Sequence, residues 1–428
     1  MKPVLQLALD FIDLHRALGV AREAVKGGAD WLEVGTPLLK AEGLEAVRKL
    51  RAEFPHATIV CDTKTMDAGR IEMEAAAKAG ANVATVLGAA PDATVRECIE
   101  AGRNYGIRVA VDLVNVPDPV ARARAAASWG ASLVGVHCPI DQQMEGKDPF
   151  GVLRDVARAV GIPVSVAGGI NSETAATAVA AGASVVVVGG AITKAEDAED
   201  AARRIKRVLD TGVAERTDLF KRGGAADVRA LLQRPSVPNI SDGYHHMPVL
   251  EGLAPVVAGV HMVGRALPVR AYPGDWAKPV EAIDVAEEGD VIVIDAGGVP
   301  PALWGELATH SAVQRKLAGV VIHGAIRDTP EIRKLHFPAF ARHVTARAGE
   351  PKGFGEIGVP IEISGIRVEP GDWIVGDDDG VIVIPEAHAV EIANRAMDRL
   401  EFENRLRKEI QGGSTLGKVA DLYKWEKR

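Results

Sequence analysis

Eight short apolar runs constrain this chain more than any other feature. They are Val4–Asp10, Trp31–Gly35, Thr58–Lys64, Val83–Leu87, Arg108–Val114, Ser132–Cys138, Pro163–Gly169 and Ser184–Gly190. Each is short and apolar, many are β-branched, and each therefore reads as a buried strand. Stretches with helix signals separate them. Asp92 to Asn104 is entered through Pro91, and Ser172 is a candidate N-cap for the stretch ending at Ala181. A spacing of roughly 20 to 30 residues is that of repeated βα units. Eight such units in about 210 residues predict an α/β fold, a closed (β/α)8 barrel. An open, doubly wound sheet is the alternative, but it rarely needs eight strands in so strict an alternation.

In such a barrel, ligands bind at the C-terminal ends of the strands. Asp10, Glu33, Asp62 with Lys64, Asp112 and His137 stand there, and the last two strands end in Gly168-Gly169 and Gly189-Gly190. The densest group is Asp62-Thr63-Lys64-Thr65-Met66-Asp67. Its charges cost much to desolvate unless they are paired or hold a metal or substrate; a solvated charge cluster is the bland alternative. Glu33 and Asp62 come from adjacent strands and offer the hard oxygens that suit Mg2+. Lys64 is held charged by its acidic neighbours. His137, the only histidine at a strand end, is the natural proton shuttle near neutral pH, or else a satisfied core histidine. The glycine pairs free backbone N–H groups for a phosphate, although a tight turn needing positive φ would explain either pair alone. Asp112 stays open between substrate binding and a structural network.

At 428 residues the chain has room for two or three domains, and 47% apolar residues can fill their cores. A net charge of −8 without a dense basic block speaks against nucleic-acid binding. Cys61, Cys98 and Cys138 are odd in number and widely spaced, which suits free thiols in a reducing compartment. No signal-peptide pattern or membrane-length apolar run is visible, so a cytoplasmic protein is expected.

The stretches Asp62-Thr63-Lys64-Thr65-Met66-Asp67, Thr85-Val86-Leu87-Gly88-Ala89-Ala90, His137-Cys138-Pro139-Ile140-Asp141-Gln142-Gln143, Val166-Ala167-Gly168-Gly169-Ile170 and Val188-Gly189-Gly190-Ala191-Ile192-Thr193 resemble the 3-hexulose-6-phosphate synthase family, within the orotidine-monophosphate decarboxylase suprafamily. The resemblance covers about residues 1–210. It implies a Mg2+-assisted aldol reaction of ribulose 5-phosphate with formaldehyde. Glu33 and Asp62 would hold the metal, Lys64 would add positive charge, and His137 would act as base. Asp67 would orient Lys64 and reach a neighbouring subunit's site. Asp10 would hold substrate hydroxyls, and Gly168, Gly169, Gly189 and Gly190 the phosphate. The sister 3-keto-L-gulonate-6-phosphate decarboxylases usually have an arginine shortly after the histidine and a threonine before the first glycine pair; Ile140 and Ala167 stand there here.

From Leu209 to about Pro238 strand periodicity disappears, and residues 211–238 read as a linker with a short helix near Asp227–Gln233. β-rich blocks follow at Gly259–Val269, Asp290–Ile294, Gly319–Ile322, Ile361–Ile363, Trp373–Gly376 and Gly380–Ile384, with helices expected at Trp304–Leu317 and Glu386–Ile410. Few helices separate the later blocks, so residues 239–428 are expected to form a smaller α/β domain and not a second barrel. Gly297-Gly298, Trp304-Gly305-Glu306 and Gly324-Ala325-Ile326-Arg327-Asp328 with Glu331 form its chemical cluster; a bound anion would account for it, and a plain salt-bridged turn is the bland alternative for Arg327-Asp328. The stretches Gly289-Asp290-Val291-Ile292-Val293-Ile294-Asp295, Trp304-Gly305-Glu306 through Gly319-Val320-Val321, Gly324-Ala325-Ile326-Arg327-Asp328 with Glu331, and Gly371-Asp372-Trp373 through Gly380 resemble the family of the regulator of RNase E activity A and the class II 4-hydroxy-4-methyl-2-oxoglutarate aldolases. That resemblance implies a swivelling fold that usually trimerises, Arg327 holding a carboxylate, and Asp328 serving Mg2+. It leaves two functions open: an aldolase or oxaloacetate decarboxylase, or a non-catalytic regulatory module. Two departures from the family pattern are His323, where it commonly has aspartate, and the His245-His246 pair near the start of this region. A dimerising barrel joined to a trimerising module would favour a hexamer.

Overall fold

A computed structural model describes residues 2–425. The chain divides into two compact units. One holds residues up to Arg222 and from Glu401 onward, and the other holds Gly223–Leu400. The division differs from the expected one. The 211–238 stretch is shared between the units, and the chain beyond Leu400 packs with the barrel. The reason is a buried charge: Glu401 is fully buried and takes Arg222 at 2.8 Å. A buried carboxylate is tolerated only with such a partner.

The first unit is a closed barrel of eight parallel strands in sequential order. They are β1 (Val4–Leu9), β2 (Trp31–Val34), β3 (Thr58–Thr65), β4 (Val83–Leu87), β5 (Arg108–Asp112), β6 (Leu133–His137), β7 (Val164–Ala167) and β8 (Val185–Val188). Side chains alternate across each strand. In β1, Leu5, Leu7 and Leu9 are wholly buried in the large outer core shared with the helices. On other strands Val60, Val83, Ala110 and Leu133 form a separate small cluster with Trp31. Two residues further along β3 and β5 stand Asp62 and Asp112; β2 carries Glu33 two residues after Trp31. The period of two thus sets an apolar layer below a charged one.

The second unit is built on a mixed sheet. Its strands are β9 (Ala254–Pro255), β10 (Met262–Ala271), β11 (Asp290–Asp295), β12 (Ala302–Trp304), β13 (Gly319–Ile326), β14 (Ala339–Val344), β15 (Gly355–Ile357), β18 (Trp373–Asp377) and β19 (Gly380–Ile384), while β16 (Ile361–Ile363) and β17 (Ile366–Val368) make a separate hairpin. The sheet runs β19-β18-β10-β11-β13-β14-β9, with β12 on β13 and β15 on β10. Three of its central pairings, β10–β11, β11–β13 and β13–β14, are parallel. The helix expected from Trp304 begins at Glu306 and ends at Gln314, because Ala302–Trp304 pairs with β13 instead. The strand Ala339–Val344 and the helix Ala277–Val285 went unread in the sequence. The last long helix runs Ala389–Gln411. All three cysteines are buried and free. Among the described residues no helix is long and apolar enough to cross a membrane.

Candidate active site

The barrel brings Glu33, Asp62, Lys64, Asp112 and His137 to one end. Lys64 lies in the irregular part of β3 between Cys61 and Thr65 and has a φ of 44°. This left-handed conformation is costly for a non-glycine residue and is held by a hydrogen bond from its N–H to the Thr85 hydroxyl at 2.9 Å. The ammonium lies 3.0 Å from Asp62 and 2.9 Å from Asp112. Burial alone would lower the Lys64 pKa; the charges of Asp62 and Asp112 outweigh it and drive the pKa upward. Lys64 is therefore a fixed cation.

Asp112, whose role the sequence left open, is the hub. Its Oδ2 also meets His137 Nδ1 at 3.3 Å, and its Oδ1 accepts the Val114 N–H at 3.0 Å. Burial would raise its carboxyl, but the His137 hydrogen bond and the Lys64 charge bring it down to about 2. Gly135 pairs with Asp112 in the sheet register and presents no side chain there. Asp62 accepts from the hydroxyls of Thr85 and Thr36, each at 2.8 Å. These threonines look like ordinary strand and helix residues in sequence; only the register shows that they orient Asp62.

Glu33 differs from its neighbours. Gln6 donates to it at 2.6 Å, and no cationic side chain among the described residues pairs with it. Burial first, then the charges of Asp62 and Asp10, push its carboxyl well above the ordinary range. A divalent cation between Glu33 and Asp62 would remove that repulsion, and hard carboxylate oxygens are its preferred ligands, so these residues fit Mg2+. Among the described residues no three His, Cys, Asp or Glu side chains form a complete metal cage. The fit is to an ion that draws its other oxygens from water or substrate.

Asp10 sits at the rim. The residue is exposed, but its carboxyl tucks against Gly35 and Gly189, where a Cβ on Gly35 would lie 2.2 Å from Oδ1. This burial of the carboxyl, followed by the Asp62 charge, raises its pKa. Gly168 and Gly169 have φ of 101° and 71°. A Cβ on Gly168 would lie 2.4 Å from the Cys138 carbonyl, so that turn requires glycine. Gly190 opens the short helix Gly190–Thr193, and the Lys194 side chain runs beside it. Lys194 also acts on Asp10 electrostatically, an addition to the rim that no sequence motif marked. Asp67 is exposed and caps the Ala68 N–H at 2.7 Å. Within the chain it does not contact Lys64, whose orienting partners are Asp62 and Asp112.

In the second unit, Arg327 and Asp328 follow β13. Asp328 has a φ of 57°, lies 3.4 Å from Arg327 and accepts the Glu306 N–H at 3.2 Å, at the start of helix Glu306–Gln314. Glu331 turns to Lys334 at 2.7 Å. His323 joins a different group, with Nδ1 at 2.8 Å from Asp295 and Nε2 at 3.0 Å from Arg342. An arginine can only donate, so Nε2 is the acceptor of that pair and Nδ1 is left to donate to Asp295. His246 pairs with Asp242 at 3.2 Å on an exposed turn.

Fold and rim together place the first unit among the (β/α)8-barrel enzymes. Residues 3–205 match the orotidine 5'-phosphate decarboxylase / HUMPS family, and residues 237–383 match the RraA-like family, Aldolase/RraA. Over 211 residues the chain is 43% identical to the 3-hexulose-6-phosphate synthase of Methylomonas aminofaciens, an alignment covering 49% of this chain and 98% of the relative. The solved 3-hexulose-6-phosphate synthase from Salmonella typhimurium is 38% identical, with 49% of this chain and 98% of that one covered and a TM-score of 0.47. The RNA-processing inhibitor RraA from Thermus thermophilis is 31% identical, covering 35% of this chain and 91% of that one at a TM-score of 0.32. Through its barrel the chain belongs to the 3-hexulose-6-phosphate synthases of the orotidine 5'-phosphate decarboxylase / HUMPS family, and it carries an RraA-like region after it.

Proposed function

We propose that the barrel catalyses a Mg2+-dependent, reversible aldol addition of D-ribulose 5-phosphate to formaldehyde, giving D-arabino-3-hexulose 6-phosphate. The observation that carries this reading is the Asp62–Lys64–Asp112–His137 chain at the mouth of a barrel 43% identical to a named synthase. His137, with Nδ1 on Asp112, uses Nε2 to take a proton from the terminal hydroxymethyl carbon of the sugar. The enediolate carbon attacks the formaldehyde carbonyl, a C–C bond forms, and the new alkoxide recovers a proton. Lys64, fixed between two carboxylates, supplies positive charge where the enediolate develops. Held by Glu33 and Asp62, Mg2+ would supply further positive charge to the substrate oxygens. Asp10 holds sugar hydroxyls. Gly168, Gly169, Gly189 and Gly190 hold the phosphate through backbone N–H groups, joined by Lys194.

The test is formaldehyde consumption with ribulose 5-phosphate and Mg2+, lost on Asp62→Ala and on His137→Ala. If the wild type consumes no formaldehyde but decarboxylates a 3-keto sugar acid phosphate, the sister reading replaces this one.

For the second unit we propose a carboxylate on Arg327 and a Mg2+ ion at Asp328, in an aldolase or oxaloacetate decarboxylase. Pyruvate release from oxaloacetate tests it; release no higher than background, and unchanged by Arg327→Ala, leaves a non-catalytic module. Asp67, exposed beside the barrel mouth, supports assembly into a homo-oligomer in which it serves a second copy, and the mass in solution tests that.

A further inference from the structure

The barrel closes where β1 pairs with β8. The loops leaving these two strands carry Asp10 on one side and Gly189, Gly190 and Lys194 on the other. Both loops are held by the segment beyond Glu401. Arg405, 7% exposed, makes a two-pronged pair with Glu23 at 3.0 and 2.9 Å and also donates to the carbonyls of Ala195 and Glu196 at 3.2 and 3.4 Å, directly after Lys194. Glu409 joins Arg405 to Arg16, at 3.0 Å from each. On the other loop, the Tyr423 hydroxyl donates to Asp13, and the Lys424 ammonium to the Ile12 carbonyl and Glu42. Asp13 is itself the N-cap of helix Leu14–Lys26, accepting the Arg16 N–H at 2.7 Å.

The two family matches cover residues 3–205 and 237–383, so this segment lies outside both. Its contacts fall on the two loops at the closing seam, on helix Leu14–Lys26 and on Glu42 at the end of helix Thr36–Glu42.

We propose that residues 401–424 are a built-in part of the barrel mouth, with Arg405 and Tyr423 as positioning residues that hold the β1 and β8 loops in substrate-binding geometry. The proposal rests on the synthase reading for its kinetic consequence, while its structural consequence is independent of it. A displacement of an ångström in groups that hold substrate costs rate or affinity far from the chemistry.

The experiment uses the full chain with Arg405→Ala, Arg405→Lys and Tyr423→Phe. Amide hydrogen exchange is followed at residues 10–16 and 193–197, and KM for ribulose 5-phosphate is measured separately from kcat. Arg405→Ala should speed exchange in 193–197 and raise KM roughly tenfold, with kcat changed less. Arg405→Lys should recover part of both effects. Tyr423→Phe, which removes only the hydroxyl, should speed exchange in 10–16 alone. Folded variants with wild-type exchange and KM would overturn the proposal. Should Arg405→Ala not fold, Tyr423→Phe decides alone, and unchanged exchange in 10–16 overturns it. If the wild type consumes no formaldehyde, the synthase reading falls and the exchange results judge the loop proposal.

Discussion

In the barrel, Lys64 lies within 3.0 Å of both Asp62 and Asp112; the side chains of the two acids are 7% and 10% exposed and that of Lys64 27%. In the second unit, Arg327 and Asp328 also follow a strand and also meet the start of a helix, yet their side chains are 45% and 39% exposed and 3.4 Å apart. Burial separates the two cases. Charges withdrawn from water act on each other through a low dielectric and shift each other's proton affinity, which is what a proton-transfer site needs. An exposed pair is screened and contributes little until a ligand or partner covers it. The barrel site is therefore assembled before substrate arrives, whereas the Arg327–Asp328 pair would acquire its strength only on binding.

The contrast can be broken by mutation. Lys64→Ala should lower kcat on the order of a thousandfold in the formaldehyde assay, as expected when a positioned charge is removed from a buried site. A loss under about tenfold would mean that Lys64 is structural. A smaller effect concerns Glu33. Its carboxyl is held above the ordinary range, so its contribution to stability is full at low pH and declines as the pH rises and the group is forced to ionise. Mg2+ should then raise the melting temperature by roughly 2–4 °C at about pH 8, the shift expected for about 1 kcal/mol, and less at about pH 5. Glu33→Gln should abolish that difference.

Asp112 works in the opposite direction. Its pKa is lowered to about 2, so its stabilisation is present above the unfolded value of about 4 and is lost as the pH falls toward about 2. Denaturant titrations between those limits should show a steeper loss in the wild type than in Asp112→Asn. The smallest effect belongs to the other unit. Arg327→Ala should change stability by no more than about 0.5 kcal/mol, as for other exposed side chains. A larger change would show the pair to be structurally committed already.

The eight strands were legible because each is a short apolar run between helix signals, and observed bounds such as Val83–Leu87 coincide with the runs. The hairpin strand Ile361–Ile363 and strand Gly380–Ile384 were legible for the same reason. Strand Ala339–Val344 was not, since three exposed residues, Arg342, His343 and Val344, end it and blur its pattern. Glu33, Asp62, Lys64 and His137 stood out as functional groups at strand ends. Thr36, Thr85 and Gln6 did not, because nothing in their local sequence shows that they meet a carboxylate from another strand.

Local sequence thus determined the kinds of residue at each strand end and the alternation that carries them to the inside of a barrel. It could do so because strand period and helix capping are short-range properties. Tertiary structure decided which of these residues touch. It gave Lys64 to Asp112 instead of Asp67, left Glu33 without a cationic partner among the described residues, and returned Arg405 and Tyr423 to loops about 200 and 400 residues earlier in the chain. Such pairings depend on sheet register and barrel closure, and neither is written in any single stretch of sequence.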